Sequence, residues 1–174
     1  KLWTKDFSII TWGTVISMLG NAVSSFSLGL LVYDNTESTL LYALFFVAVF
    51  LPQLAAPLIA GPFLDRLSRR KTIYTLDFIC AGMFFLVAVS VSLNFFNYPV
   101  YLLLALATGA INAIYSVAYD SFYPDLISEG NFSKAYSISS LIYPLANTIM
   151  VPLAGLAYET IGLAPLFFFN AVSY

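Results

Sequence analysis

Gly61-Pro62-Phe63-Leu64-Asp65-Arg66-Leu67-Ser68-Arg69-Arg70-Lys71 gathers four of the chain's seven basic residues into one short turn. The turn separates two long apolar runs, residues 40–64 and 72–96. Each run reaches the roughly 20 apolar residues that a helix needs to cross a bilayer. Gly61 lets a helix end approach a neighbour closely, Asp65 can cap the following turn or pair with a guanidinium, and the cations hold the turn on one side of the membrane. A plain positive hairpin with no further role is the simplest alternative.

Outward from this turn the same pattern repeats. Segments 7–33, 99–119 and 135–158 also reach spanning length, and a sixth apolar segment, 163–174, is too short to cross alone. The composition agrees: the 174 residues are 60% hydrophobic and 9% charged, with a mean hydropathy of +0.87, which leaves too little polar surface to coat a water-soluble domain. A soluble helical core would need a charged face recurring every three to four residues, whereas these runs are apolar all round. The expected fold is an all-α membrane protein, a six-helix transmembrane bundle spanning residues 1–174. Six spans can be arranged as two inverted three-helix repeats, with helices one and four as counterparts carrying Gly20-Asn21 and Gly109…Asn112. The first run is too long for a signal-peptide core and lacks a small-residue cleavage site, so it reads as a retained span. A start at Lys1 and an end at Tyr174 inside an apolar run point to a piece of a longer chain.

Charge sets the topology. Lys1, Lys5, Arg66, Arg69, Arg70, Lys71 and Lys134 all fall in alternate connections, and the opposite connections, 34–39, 97–98 and 159–162, carry no Lys or Arg. The positive-inside rule then places the amino terminus in the cytoplasm of a multi-pass cell-membrane protein. Trp3, Trp12, Tyr33, Tyr42, Tyr74, Tyr98, Tyr101, Tyr123 and Tyr158 fall near the expected interfaces as anchors. The connection 120–134, with Phe122, Tyr123, Leu126 and Ile127, is expected to lie on the cytoplasmic surface as a short interfacial helix.

Several function classes drop out. The chain has no histidine, which removes zinc sites of the His-Glu type and nucleophiles that depend on a histidine base. Its one cysteine, Cys80, cannot form an internal disulfide and reads as an inert thiol inside a span. A single basic turn is no nucleic-acid footprint. Tyr119-Asp120 superficially resembles half of an intramembrane aspartyl protease site, but one carboxylate without a Gly-x-Gly-Asp partner makes no dyad. No metal, cofactor or enzymatic activity is expected.

Polar side chains recur at spacings of three and four: Ser17, Asn21 and Ser24, then Thr108, Asn112, Tyr115 and Tyr119, then Tyr136, Ser140, Tyr143 and Asn147. Such stripes face other helices or a water-filled cavity rather than lipid. Hydrogen-bonded packing between helices is the other reading, and packing at a kink accounts equally well for Gln53 beside Pro52. Asp77 is the one carboxylate inside an expected span, about 9 Å along the helix from Lys71. It is a candidate to carry a proton or attract a cation, or it simply reaches interfacial water or the loop arginines. With no basic residue inside any span, neutral or cationic amphipathic molecules suit such a cavity better than anions.

The 61–71 segment resembles the cytoplasmic signature loop of the major facilitator superfamily, G-x-L-A-D-R-x-G-R-[RK]. Gly61, Asp65, Arg66, Arg69 and Arg70 match it, while Phe63, Leu64 and Ser68 depart from it. The resemblance implies the amino-terminal half of a twelve-helix secondary transporter, partnered by a carboxy-terminal six-helix half. It further implies a gate latch at Asp65 and Arg66, supported by Arg69 and Arg70, and, because helices one and four line the family's central cavity, substrate contact at Asn21, Asn112 and Tyr115; Ser24 and Asn147 of the polar stripes complete the candidate substrate cavity. Val151-Pro152-Leu153-Ala154-Gly155 resembles an exporter motif at Pro152 and Gly155, although a Pro and a Gly three apart also bend and pack a helix without one. Ala105 stands where exporters often place an arginine four residues before Gly109, which weakens that route of proton coupling. The overall likeness is to bacterial drug and macrolide exporters, implying efflux coupled to proton entry. Uptake, or a non-transporting assembly or receptor, are the alternatives.

Overall fold

The Thr4 hydroxyl accepts a hydrogen bond from Phe7 N at 3.2 Å and so begins the first helix. The computed structural model describes residues 4–64, 68–128 and 130–174. Among them run α1 (Lys5–Thr36), α2 (Thr39–Leu64), α3 (Arg69–Ser92), α4 (Tyr98–Phe122), a 3-10 turn (Tyr123–Leu126), α5 (Phe132–Ile161) and α6 (Ala164–Ser173).

Helix ends differ from the apolar boundaries where polar side chains cap them. α1 runs on to Thr36 because the Asn35 amide and Thr36 hydroxyl donate back to Leu31 O and Val32 O, and Glu37 (φ 48°) then turns left-handed. α3 starts at Arg69, earlier than residue 72, and stops at Ser92, short of residue 96. There Asn94 (φ 52°) turns left-handed, Phe95 N donates to Ser90 O and Asn94 N to Val91 O, which is the Schellman closure. Pro144 and Pro152 both lie inside α5 without ending it.

Contacts fix the direction of each helix. At one end Tyr158 donates to Asp34, Tyr98 OH donates to Leu41 O at 2.9 Å, and Ser90 and Tyr101 share a 2.8 Å bond. At the other end Phe7 packs with Tyr123 and Ala135, and Ile73 packs on Ala118. Consecutive helices therefore alternate in direction, and the described cations Lys5, Lys71 and Lys134 share the second end. α4 lies on α2 as α1 lies on α5, α4 lies on α3 as α1 lies on α6, and α3 meets α6. The α2–α4 contact is intimate because Gly109 leaves no room for a side chain: a Cβ there would overlap the Val49 carbonyl.

The largest core, including Leu28, Leu31, Val32, Phe45, Phe84, Val87, Ala105 and Phe167, binds α1, α2, α3, α4 and α6 near the first end. The outer face is apolar as well: Phe78 is 81% exposed, Leu54 76% and Val172 85%. Water would make that surface untenable, whereas hydrocarbon suits it. Among the described residues, four helices are each long and apolar enough to cross a membrane.

The connection after α4 corrects the expectation of a surface helix. Its 3-10 turn folds inward, burying Tyr123 and Ile127 against Phe7 and Ala135, and Tyr123 OH donates to Ala135 O at 2.9 Å. Tyr123 and Tyr101 are thus core residues rather than interfacial anchors. Asp65 and Arg66, together with Lys1 and Trp3, lie outside the described residues. Gly61 falls in the last turn of α2 and Arg69 and Arg70 open α3, and their side chains also lie outside the described residues.

Candidate functional site

α1, α2, α4 and α5 surround a cavity of about 420 Å³, with Cys80 and Phe84 of α3 and Tyr174 at the end of α6 behind it. That volume falls in the range of small-molecule sites. The α1 wall includes Thr14, Ser17, Met18, Asn21, Ser25 and Leu28, positions i, i+3, i+4, i+7, i+11 and i+14 of one helix face turned inward. α4 contributes Thr108, Asn112, Tyr115, Ser116, Tyr119 and Asp120, and α5 contributes Ser139, Ile142, Tyr143 and Asn147. α2 supplies the apolar side, Phe45, Phe46, Val49 and Phe50, with Gln53.

Polar bonds position these groups. Thr14 Oγ1 and Tyr119 OH stand 3.2 Å apart, tying α1 to α4 across the cavity. Tyr174 OH donates to Asn21 Oδ1, and its ring stacks near Phe84 with centroids 6.2 Å apart. Asn147 Nδ2 donates to Tyr143 O at 3.0 Å, so its amide is held along its own helix. Tyr115, Tyr119 and Tyr123 form a ladder along α4 with ring centroids 6.2 and 5.3 Å apart, running from the cavity toward the end that carries the lysines. Gln53 likewise turns its amide back to Val49 O, at 3.2 Å.

The structure brings four of the five expected cavity residues, Asn21, Asn112, Tyr115 and Asn147, to one space. Ser24 is not among them. It is fully buried away from the cavity and its hydroxyl has no hydrogen-bond partner, because the inward face of α1 passes through Ser25, four residues after Asn21. Asp77 does not line the cavity either; it stands one turn before Cys80, which does, and within electrostatic reach of Tyr115. A Cβ added at Gly155 would meet the Phe26 ring at 3.8 Å, an ordinary contact distance, so the position does not require glycine for room, and Pro152 is exposed. Gly20 and Gly109 are not equivalent: Gly20 faces Ser173 and Asn170 of α6, Gly109 faces Val49 of α2.

Some wall residues carry no signal in the sequence. The α2 phenylalanines sit in a uniformly apolar run whose inward face has no polar marker. Tyr174 is reached only because α6 packs on α1, where Ser17 Oγ donates to Ser173 O at 3.1 Å. Asn170, fully buried beside Gly20, accepts from Ser173 Oγ at 3.1 Å while its Nδ2 has no hydrogen-bond partner.

A bundle of apolar helices around a polar and aromatic cavity, with its outer face suited to hydrocarbon, defines an α-helical multi-pass membrane protein. The chain belongs to the Major Facilitator Superfamily, whose family model matches residues 10–174. Among curated proteins it is similar to the "Uncharacterized MFS-type transporter YkuC" of Bacillus subtilis (strain 168), with 21% identity over 171 residues. That match covers 98% of this chain and 39% of the relative, so the chain spans about two-fifths of the relative's length. No solved structure gives a significant match.

Proposed function

We propose that the chain is the amino-terminal, six-span half of a secondary transporter of the bacterial cell membrane, moving small amphipathic molecules by alternating access. The observation that carries the reading is the cavity itself: three helices, α1, α4 and α5, turn Asn, Ser, Thr and Tyr side chains toward a space of about 420 Å³ that α2 walls with phenylalanines and Gln53, while their other faces are apolar. Groups placed so in a lipid solvent need water or a ligand. The contact pattern supports an inverted repeat, since advancing each helix by three converts the α1 contacts with α5 and α6 into the α4 contacts with α2 and α3. On this reading α2 and α6 also span, the amino terminus and the 61–71 turn are cytoplasmic, and Asp65 and Arg66, backed by Arg69 and Arg70, latch this half to the carboxy-terminal six-helix half in one of the two states. Efflux driven by proton entry is the direction we favour, with Asp77 carrying the proton beside the Tyr115 wall.

Hydrogen bonds between helices, Thr14 with Tyr119 and Asn21 with Tyr174, favour a second reading in which the polar stripes only glue a non-transporting assembly. The two separate experimentally. In the full-length protein lacking Cys80, single cysteines at Asn112 and Tyr115 should react with polar thiol reagents from either side of the membrane in different states, whereas glue would keep them protected throughout. Asp77→Asn should abolish substrate-driven proton movement in vesicles, and unchanged coupling would remove Asp77 from the mechanism.

A further inference from the structure

Where α1 lies on α5 the two helices leave a second space, a groove of about 520 Å³. Val15 and Leu19 of α1 and Ile138, Leu141, Leu145 and Ile149 of α5 line it, and every described residue of its wall is apolar. Leu141, Leu145 and Ile149 are exposed, so the groove opens on the outer surface of the bundle. Such a wall offers dispersion contacts to a hydrocarbon tail and no partner to a polar group. From Ile138 to Met150 it runs about 18 Å along α5. One leaflet of a hydrocarbon core of roughly 30 Å is about 15 Å deep, so the groove matches a single acyl chain.

Positive charge stands at one end of this groove. Lys134 shares a face of α5 with Ile138, Leu141 and Leu145, at i+4, i+7 and i+11. Lys5, Trp12 and Leu19 recur every seven residues and share a face of α1. Lys5, Trp12 and Lys134 are all exposed. Phe7 and Ala135 pack in one cluster, which brings Lys5, two residues before Phe7, and Lys134, next to Ala135, to the same end of the seam. There α5 begins without a side-chain cap from Asn131, so its first-turn N–H groups add to the positive field. The 3-10 turn that carries Asp125 packs on Phe7, about 160° around α1 from Lys5. α6 packs on Gly20 and Ser17, at least about 100° around α1 from Leu19 and Val15, and so lies off the groove.

We propose that the α1–α5 seam binds an anionic phospholipid of the leaflet at the lysine end, with one acyl chain in the groove and the phosphate held by Lys5, Lys134 and the start of α5. A basic site between helices at the membrane surface selects an anionic headgroup, and the groove below it supplies affinity that any lipid tail can use. The inference is independent of the transport reading; only the assignment of that leaflet as the inner one rests on it.

The test is native mass spectrometry of the detergent-solubilised full-length protein, titrated with phosphatidylglycerol and phosphatidylcholine of identical acyl chains. The first lipid bound should be phosphatidylglycerol in preference. Lys5→Gln and Lys134→Gln should each lower that preference about fivefold, and the double variant should bind the two lipids about equally. Lys71→Gln removes an exposed cation at the same end but on α3, and should leave the preference unchanged. Leu145→Trp fills the groove from its exposed rim and should weaken the first binding of both lipids alike. Thermal unfolding of each variant at the parental temperature confirms that the bundle is intact. An unchanged preference in the double lysine variant would overturn the proposal. So would a loss in Lys71→Gln equal to that in Lys134→Gln, which would mean diffuse attraction rather than a site. Unaltered first binding in Leu145→Trp would overturn it as well, because the groove would then be covered by the carboxy-terminal half or left unused.

Discussion

Replacing Gly109 with alanine adds one methyl at the closest approach of α2 and α4. That methyl would land on the Val49 carbonyl oxygen, with the carbonyl carbon 2.9 Å and the Val49 Cα 3.2 Å from it. These are backbone atoms of a helix interior, so no rotamer change relieves the clash and the two helices must move apart. Two effects compete. Alanine in place of a mid-helix glycine favours the helix by about 0.5–1 kcal/mol, whereas overpacking a tight contact costs about 1–3 kcal/mol. The clash should win by about 1–2 kcal/mol, which for a domain of this size corresponds to a melting point lower by about 2–8 °C. Gly82→Ala is the matched control, because a Cβ there meets nothing within 4 Å and only the helix-propensity gain remains. Thermal unfolding of the detergent-solubilised full-length protein reads both. Val49 and Thr108 line the cavity beside this contact, so Gly109→Ala should also weaken ligand binding. If Gly109→Ala proved as stable as the parent while Gly82→Ala gained, the close α2–α4 packing would be refuted.

Thr14→Val removes the α1–α4 hydroxyl contact at near-constant volume and should cost about 0.6 kcal/mol, read as a small drop in the same melting experiment. Ser24→Ala and Ser27→Ala should be neutral or slightly stabilising, because each hydroxyl is buried without a hydrogen-bond partner. Uptake or efflux assays should likewise leave Ser24→Ala at parental activity, in contrast to Asn112→Leu on the cavity wall, and a marked loss in Ser24→Ala would return that residue to the site.

The all-helical membrane class was legible because it depends on run length and composition, which lipid as a solvent makes decisive. Helix ends were less so. Asn94 closes α3 through backbone bonds to Ser90 and Val91, and nothing in the apolar run before it marks that point. The cavity was half legible: period alone places Asn21, Asn112, Tyr115 and Asn147 on inward stripes, but it does not say which neighbour each face meets. Ser24 is about 60° around α1 from Asn21, enough to turn it from the cavity into the packed interior while Ser25 takes the wall position. Tyr123 shows the same limit, since its aromatic ring fits an interface or a core equally well until the 3-10 turn folds it onto Phe7. Asp120 and Tyr174 join the cavity only through the packing of α4 and α6, which no local pattern encodes.

The central claim is that this bundle presents hydrocarbon-compatible surface outward and holds water within, and spin-label accessibility tests it most directly. In the full-length protein lacking Cys80, a label at Phe78→Cys, on the outer face of α3, should collide with dissolved oxygen in preference to a polar nickel chelate, and a label at Asn112→Cys should show the reverse. Equal preference for oxygen at both positions would mean that the space between α1, α2, α4 and α5 is packed and dry, and the cavity would no longer support a transport function.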